Sequence, residues 1–340
     1  MTQPASRKHS LWKTLPGFVI SGFFLWYTFH NVSYRQLISL RFAAPVWIAG
    51  IAVFLVAGYA LRIHRWWWML RRNGSAKFSV CARVLLTSFA ANNIMPFRVG
   101  DFMRIFSYAD DLGSNASVIL STVMLERLLD IFSLLLIFVL TMGHGRSFPT
   151  HHVRALAETL LGGVSLALLV LILGARVLED PVKRLIQKLP ANATIKKMEN
   201  WFFLALDAIR QIGILGTLWL VLESLAVWAC EGMIFVSAAR LLGIATDLYG
   251  PWQALAASNL SYLVPSSPGA IGTFEAAAKL AMVNHGADPA TAVLYGLLVH
   301  AVVLITVTAA GGVLFLWHRY HRALRKPLSE EMATLPAEIS

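Results

Sequence analysis

Charged side chains cluster directly after a helix-breaking proline in an otherwise apolar part of the chain. Residues 92–104 read NNIMPFRVGDFMR and place Arg98, Asp101 and Arg104 three residues apart. Arginine can grip a phosphate or a carboxylate through two parallel hydrogen bonds, whereas lysine acts as a point charge. We therefore expect this segment to bind an anion or to pair with acidic side chains.

A second group of charges, in the sequence ERLLD, supplies such acidic side chains. Glu126 and Asp130 lie four residues apart on one helix face, and Arg127 can pair with Asp130. Their acidic face is a suitable partner for Arg98 or Arg104. Because ionisable groups are costly in apolar surroundings, the cluster is either a structural ion-pair network or a substrate or proton site.

A second break in the apolar pattern occurs in the sequence PSSPGAIGTFEAAAK. Pro268 and Gly269 form this break, because proline lacks the helical hydrogen-bond donor and glycine adopts unusual backbone angles. The break resembles the one at residues 92–96, so both are natural turn points for the chain.

The helix after the second break is expected to begin near Gly272 or Thr273. Thr273 is a suitable cap, and Glu275 and Lys279 form a favourable pair four residues apart. Free amide donors and the positive end of the helix dipole suit an anionic group there. The Gly100 region offers the same arrangement with two arginines added, so a phosphate would match both helix starts.

The composition indicates a polytopic, all-α integral membrane protein. Of 340 residues, 57% are hydrophobic and only 14% are charged, whereas soluble domains carry about 25% charged residues. The formal net charge is +11, but the basic residues lie mainly in short segments between apolar runs, as the positive-inside rule requires. This placement argues against nucleic acid as a partner.

Six apolar runs are long enough to cross a bilayer. They are predicted at residues 15–31, 44–61, 117–142, 153–177, 214–241 and 290–317. Basic residues are concentrated in 62–83, 178–212 and the C-terminal tail, which places both termini in the cytoplasm. Residues 182–212 are expected to form an amphipathic helix on the inner leaflet or, alternatively, a soluble helical hairpin.

Residues 84–108 and 251–284 are also apolar enough to enter the membrane. If each crossed once, the basic loops could not all stay on one side. We therefore predict two re-entrant helical hairpins, the first open to the cytoplasm and the second to the outside, with turns that line a cavity. The whole of residues 1–326 is expected to form one transmembrane domain, followed by a disordered tail at 327–340.

The order span, hairpin, span occurs twice and predicts an inverted repeat. Each hairpin contains a P-x-x-x-G motif ending at Gly100 or Gly272, and alignment of later glycines places Arg127 opposite His300. Inverted repeats with broken helices are typical of transporters, whose binding sites lie near the membrane midplane. The predicted halves are approximately 44–143 and 214–317.

The remaining polar residues give weaker signals. Glu231 is a candidate for a proton or counter-charge role, Glu223 is as readily structural, and His300 is by default a core histidine. Cys81 and Cys230 have no metal-ligand or redox spacing. No phosphate-binding loop and no nucleophile–base arrangement occurs, so we expect no catalytic residue, no cofactor and no metal.

Four segments together resemble a known family. ALRIHRWWWML, NNIMPFRVGDFMR, STVMLERLLD and PSSPGAIGTFEAAA match, in this order, the lysylphosphatidylglycerol synthase transmembrane region, also called the flippase-like family, over roughly residues 10–320. Asp101 stands where glutamate is commoner. The residues that match the family's motifs are Arg98, Gly100, Asp101, Arg104, Glu126, Arg127, Asp130, Pro268, Gly269, Gly272, Thr273, Phe274 and Glu275.

The resemblance implies an inner-membrane protein that moves a lipid between leaflets. It implies a lipid partner of the anionic phospholipid, polyprenyl-linked or hopanoid type, and possible contact with envelope-biosynthesis proteins. Longer members carry an aminoacyl-phosphatidylglycerol synthase domain, and the sequence ends at Ser340 without one, so translocation is expected rather than synthesis. The alternatives are a membrane glycosyl- or aminoacyl-lipid transferase, an accessory subunit of an envelope lipid pathway, and a structural scaffold.

Overall fold

The computed structural model describes residues 8–29, 42–72, 74–146, 151–177 and 193–333, which form helices joined by turns and contain no strand. The predicted all-α class is confirmed. The helices are α1 (Lys8–Phe29), α2 (Trp47–Arg71), α3 (Phe78–Ile94), α4 (Val99–Phe102), α5 (Ala109–Leu112), α6 (Ala116–Met142), α7 (His151–Val177), α8 (Ala193–Leu241), α9 (Tyr249–Leu260), α10 (Thr273–Asn284) and α11 (Pro289–Ala333).

Four helical segments are long and apolar enough to cross a membrane, which supports a multi-pass membrane protein. They are Trp47–Arg71, His151–Val170, Arg210–Leu241 and Pro289–Arg322. The first predicted span is represented by the shorter apolar helix Gly17–Phe29. α6 is long enough, but every 18-residue stretch of it contains Glu126, Arg127 and Asp130, so its composition alone does not mark it as a span.

α2 continues ten residues beyond the predicted end at residue 61. Arg62 and Arg65, expected in a cytoplasmic loop, therefore lie inside the bundle with exposures of 8% and 1%. The prediction ended the span at its first arginine, since a single sequence does not reveal which carboxylates face it. The exposed basic residues at this end of α2 are Arg71 and Arg72.

α2 and the second part of α8 pack antiparallel along their length. Gly50 approaches the side chain of Ser237 and Gly58 approaches that of Cys230, so small residues bring the two backbones together. At Gly213 the backbone of α8 departs from helical geometry, with φ 67° and ψ 178°. This break separates 193–212 from the span, whereas residues 182–192 of the predicted surface segment lie outside the described part of the chain.

The first helical hairpin consists of α3 and a returning limb made of α4, a π-helical turn at Met103–Ser107, and α5. α3 ends at Ile94, before the proline at 96 that cannot supply its amide to the helix. A Cβ atom on Gly100 would lie 1.8 Å from the Ser88 carbonyl oxygen, so only glycine lets the two limbs pack this closely.

The second helical hairpin consists of α9, a turn region and α10. Short 3-10 turns at Ser261–Leu263 and Pro268–Ala270 interrupt the chain between the helices. At the open end, the His285 ring lies 2.7 Å from a carboxylate oxygen of Asp247. This contact joins the residues before α9 to those after α10, so the segment begins and ends at one end of the molecule.

The two hairpins open at opposite ends of the α2–α8 pair. Gly74 and Ser114, which flank the first hairpin, are in contact just after the end of α2, whereas Asp247 and His285 lie beyond the end of α8. The closed ends, here called the first tip (residues 95–99) and the second tip (261–271), meet inside the bundle. Gly269 of the second tip approaches the carbonyl of Asn93 in α3.

α11 completes the bundle by packing along α3. Gly311 sits directly against the Leu86 carbonyl, and the Asn93 amide donates to the Thr308 hydroxyl at 2.9 Å. The helix continues to Ala333, into the segment expected to be a disordered tail from 327 onward. Residues 334–340 of that predicted tail lie outside the described residues.

Candidate functional site

A cavity of about 770 Å³ lies where the two tips meet beside α2, α6 and α8. Its volume is within the range of about 300–1,000 Å³ that small-molecule sites occupy. The charged side chains in its lining are Arg62, Arg98, Arg127, Asp130 and Glu231. Its apolar lining includes Phe18, Phe89, Leu134, Leu304 and Val307.

An ion pair between Arg62 and Glu231 joins α2 to α8 in the cavity wall. Both residues are nearly buried, with exposures of 8% and 6%. The Arg62 guanidinium also lies 5.1 Å from the ring centroids of Tyr59 and Trp228. A buried charge needs such partners, and this arginine has both a carboxylate and two aromatic faces.

Asp130 of α6 is the centre of a second group of contacts. Arg65 donates to its carboxylate at 2.8 Å, and the Trp228 indole N–H donates to the same oxygen at 3.2 Å. Arg65 also donates to the Ser224 hydroxyl at 2.6 Å. The predicted pairing of Arg127 with Asp130 is present at 3.8 Å, with an N–O distance near the limit for an ion pair.

Arg127 makes its shorter contacts with Asp101 in the returning limb of the first hairpin. One guanidinium nitrogen lies 3.0 and 3.1 Å from the two carboxylate oxygens of Asp101. The Asn92 amide donates to Asp101 at 3.1 Å, and the Asp101 backbone N–H donates to Asn92 at 3.3 Å. These bonds tie α3, the returning limb and α6 together beside the cavity.

Arg98 lies at the first tip and differs from the other cavity arginines. Its guanidinium donates a hydrogen bond to the Tyr262 carbonyl at 3.5 Å, and no carboxylate in the described part of the chain lies within ion-pair distance. Its backbone adopts φ 52°, an uncommon conformation for a residue with a side chain. The tip therefore presents an exposed guanidinium that is not neutralised by a bonded acid.

The lining carries an excess of one positive charge. The three guanidinium groups of Arg62, Arg98 and Arg127 face two carboxylates, those of Asp130 and Glu231. Directly behind the wall, Arg65 bonds Asp130 and Asp101 bonds Arg127, so these two further charges, one positive and one negative, leave the net charge unchanged. A single negative charge on a ligand would balance the charged side chains of the lining.

Arg104 and Glu126 are brought together as predicted, but in the core rather than in the cavity wall. Their side chains lie 3.3 Å apart and are 0% and 2% exposed. The Arg104 guanidinium also lies 4.6 Å from the Trp66 ring centroid. The π-helical turn directs Arg104 inward, so this pair supports the first hairpin from behind and does not line the cavity.

The second motif divides into a cavity-lining part and a supporting part. Pro268 and Gly269 belong to the lining, whereas Gly272, Thr273 and Glu275 lie behind it. The Gly272 N–H donates to the Glu275 carboxylate at 2.7 Å, while the Thr273 hydroxyl donates to a carbonyl. The expected capping role of Thr273 is therefore taken by Glu275, and its carboxylate occupies the helix start that was expected to receive an external anion.

The predicted Glu275–Lys279 pair does not form. Glu275 lies 2.6 Å from the Nδ1 atom of His300 in α11. Lys279 instead donates to the carbonyls of Thr28 at 2.8 Å and Tyr27 at 3.3 Å, which are freed at the C-terminal end of α1. Tertiary contacts have replaced the local pairing, because each side chain faces a different neighbouring helix.

The sequence did not identify Arg62, Arg65, Trp228 or Tyr262 as site residues. A signal for the first two was present, since Glu231 lies deep in an apolar run and a buried carboxylate requires a cation. Trp228 lies three residues before Glu231 and so shares its helix face. Tyr262 gave no such signal, because its contribution comes from a backbone carbonyl at the second tip.

Comparison with known families assigns the chain to one of them. The lysylphosphatidylglycerol synthase TM region matches residues 15–311, a range that includes both hairpins and every charged residue of the cavity. No curated protein matches the chain. Because the match covers most of the sequence, the chain belongs to the lysylphosphatidylglycerol synthase TM region family.

Proposed function

We propose that this protein is a flippase-like lipid translocase that moves a lipid with an anionic, phosphate-bearing headgroup across the inner membrane. The observation that carries the proposal is the cavity between the two tips, where Arg98 has no bonded carboxylate. The surplus positive charge suits one negative charge on the headgroup. Guanidinium groups are also well matched to phosphate oxygens.

In this proposal the two hairpins are re-entrant and the cavity lies near the membrane midplane. Each hairpin begins and ends at one end of the bundle, and the two open at opposite ends. The exposed Arg71 and Arg72 lie at the end where the first hairpin opens, so the positive-inside rule places that end and both termini in the cytoplasm. Helices broken at the midplane are typical of transporter sites.

The apolar side of the cavity supports a lipid rather than a soluble anion. Phe18, Phe102 and Leu263 contribute to the lining, yet they are 57%, 58% and 56% exposed. In a bilayer such side chains would contact hydrocarbon, because no water is present to receive them. A headgroup can therefore occupy the polar side while its tails remain in the lipid.

The proposed roles of the residues follow from their contacts. Arg98 binds the headgroup, and Arg62 and Arg127 approach it from the wall while their carboxylate partners hold them in place. Asp130 and Glu231 keep the remaining wall from attracting a more highly charged anion.

A copurification experiment tests whether the cavity holds an anionic lipid. The wild type and Arg98→Gln are purified in mild detergent, and bound lipids are identified and quantified by mass spectrometry. We expect one anionic lipid class with the wild type and at least about tenfold less with Arg98→Gln, since a charge-assisted contact contributes about 1.5–3 kcal/mol. Arg154→Gln, at an exposed ion pair on α7, is the matched control. Equal lipid content in all three proteins would contradict the assignment of Arg98.

A further inference from the structure

We propose that the buried Glu275–His300 pair is a proton-binding site, and that a proton is bound together with the anionic headgroup. The inference rests on the proposed function for the headgroup, but the proton site itself is argued from independent contacts. It differs from the sequence prediction, in which Glu275 contacts substrate and His300 is a core histidine.

The pair occupies a closed site directly behind the second tip. Glu275 and His300 are 4% and 3% exposed, and their side chains lie 2.6 Å apart. The other Glu275 oxygen accepts the Gly272 N–H at 2.7 Å. The imidazole stacks on the Phe274 ring with centroids 4.3 Å apart. The pair is therefore bonded directly to Gly272, the residue that joins the second tip to α10.

One ring nitrogen of His300 is available for a proton. Nδ1 faces a carboxylate oxygen, which accepts, so Nδ1 carries a hydrogen. Nε2 is buried and has no hydrogen-bond partner in the described part of the protein. With Nε2 unprotonated, the pair carries one net negative charge; a proton added there gives an imidazolium and a carboxylate with no net charge. Burial favours the neutral arrangement.

The corresponding contact in the first half of the chain cannot titrate in this way. Arg127, which the sequence alignment places opposite His300, bonds Asp101 in the returning limb of its own hairpin. Both contacts therefore connect a hairpin limb to the following long helix. Arginine stays protonated, whereas histidine changes charge near neutral pH. Of the two contacts, the second is the one that contains a side chain of the type that changes charge near neutral pH.

The charged and titratable groups around the pair do not supply an alternative proton acceptor at the same place. Lys279, on α10, is directed to the carbonyls at the end of α1. Tyr262 of the second tip packs against Phe274 and lies within electrostatic range of Glu275, Glu231 of α8, Tyr59 of α2 and Arg98 of the first tip. Tyr295, which precedes His300 in α11, donates to the Phe235 carbonyl.

Proton binding has a defined effect on the cavity. Without the proton, a net negative charge lies behind the second tip and opposes the entry of an anion. With the proton, this charge is cancelled and the surplus positive charge of the cavity is fully available. Headgroup and proton therefore favour each other's binding, and by linkage the apparent Kd rises up to about tenfold for each pH unit above the titration of the pair.

Two measurements on the full-length protein test the proposal. Histidine side chains are labelled with ¹⁵N, and the NMR signal of His300 is assigned by its loss in His300→Gln and followed between about pH 5 and 8. Dihexanoyl phosphatidylglycerol is then titrated into the same protein at several pH values. We expect His300 to gain a proton in this range and lipid binding to take up about one proton.

Glu275→Gln is the second variant, because it removes the negative charge at nearly the same volume, and its single amide oxygen can still accept from the Gly272 N–H while its NH2 group faces His300. We expect it to flatten the pH dependence of lipid binding, because the charge that holds the proton on the imidazole is gone. A His300 signal that does not titrate, or a His300→Gln protein with unchanged pH dependence of binding, would overturn the proposal. Absence of lipid binding at every pH, with a titrating His300, would instead reject the proposed function while retaining the proton site.

Discussion

At the scale of single residues, the arginines of this protein have two different environments. Arg62 and Arg127 are held by carboxylates, whereas the hydrogen bond of Arg98 among the described residues is a 3.5 Å contact to a carbonyl. The guanidinium groups of Arg62 and Arg127 therefore have structural partners, whereas that of Arg98 is available to a ligand. This difference also shows why motif position alone does not assign a role, since Arg98 and Arg104 belong to one motif but face different surroundings.

Arg98→Gln is expected to leave the folded structure nearly as stable as the wild type. The substitution breaks no ion pair among the described residues, and changes at exposed positions usually alter stability by about 0.5 kcal/mol or less. Thermal unfolding in detergent measures this directly. A large drop in Tm would show that Arg98 is part of the structural network.

Arg104→Ala is expected to have the opposite effect. It leaves the Glu126 carboxylate buried without its cation, at a cost of about 3–5 kcal/mol. The measurement is again thermal unfolding, with replacement of both residues by methionine as the comparison. Recovery of stability in the double variant would confirm that the unpaired charge, rather than lost volume, causes the effect.

Residue types were predictable from the sequence, but most pairings were not. The Arg104–Glu126 pair was among the predicted ones, since Arg98 or Arg104 was expected to meet the acidic face of Glu126 and Asp130. The contacts Arg127–Asp101 and Glu275–His300 were not foreseen, because they depend on how each helix is rotated toward its neighbours.

At the scale of helices, glycine determines how closely the broken segments pack. The adjacent residues Gly311 and Gly312 of α11 provide an internal comparison. A Cβ atom on Gly311 would lie 2.2 Å from the Leu86 carbonyl oxygen, whereas one on Gly312 would meet nothing within 4 Å. The breaks within the two hairpins, by contrast, follow from proline and glycine positions and were predicted, whereas the end of α2 was not.

Gly311→Ala is expected to destabilise the protein by separating α11 from α3, because backbone atoms cannot yield as a side chain can. Gly312→Ala is expected to be neutral or to stabilise by up to about 1 kcal/mol through helix propensity. Comparison of the two melting temperatures measures the difference. Equal effects would argue against the close packing of these helices.

The open end of the second hairpin should respond to acid. Partial burial opposes ionisation of Asp247, but hydrogen bonds from His285 and the Gly250 amide outweigh it and hold the pKa of Asp247 below its ordinary value. A lowered carboxyl pKa contributes stability above the unfolded pKa of about 4, and this contribution is lost as the pH falls through the folded pKa. The Tm difference between wild type and Asp247→Asn should therefore be present at pH 7 and diminish below about pH 4. A difference that does not change with pH would contradict this origin.

At the scale of the whole molecule, the arrangement is two hairpins that meet tip to tip within a bundle. The distribution of basic residues predicted hairpins on opposite sides, although it counted two buried arginines as loop residues. The prediction of hairpins on opposite sides did not depend on those two arginines, because Arg71, Arg72 and Lys77 lie at the same end of the bundle. A cavity at the turns was predicted, but its volume and its lining by Arg62 and Glu231 were not, since they depend on how far apart the packed helices lie.

Cysteine accessibility tests the proposed orientation. In a protein lacking the two native cysteines, Ser75→Cys and Asn115→Cys flank the first hairpin, and Leu248→Cys precedes the second. An impermeant maleimide should label the first two from the cytoplasmic side and the third from the outside. Labelling of Ser75→Cys and Asn115→Cys from opposite sides would show a single crossing instead of a re-entrant hairpin.

The movement of lipid across a bilayer is the direct test of the proposed function. Purified protein is reconstituted in phosphatidylcholine vesicles with a trace of headgroup-labelled phosphatidylglycerol, and the label on the outer leaflet is quenched over time. We expect wild type and Arg154→Gln to accelerate exchange of the label between leaflets, and Arg98→Gln to reduce this rate at least about tenfold. Equal rates for folded wild type and Arg98→Gln, or a wild-type rate no faster than protein-free vesicles, would contradict translocation through this cavity.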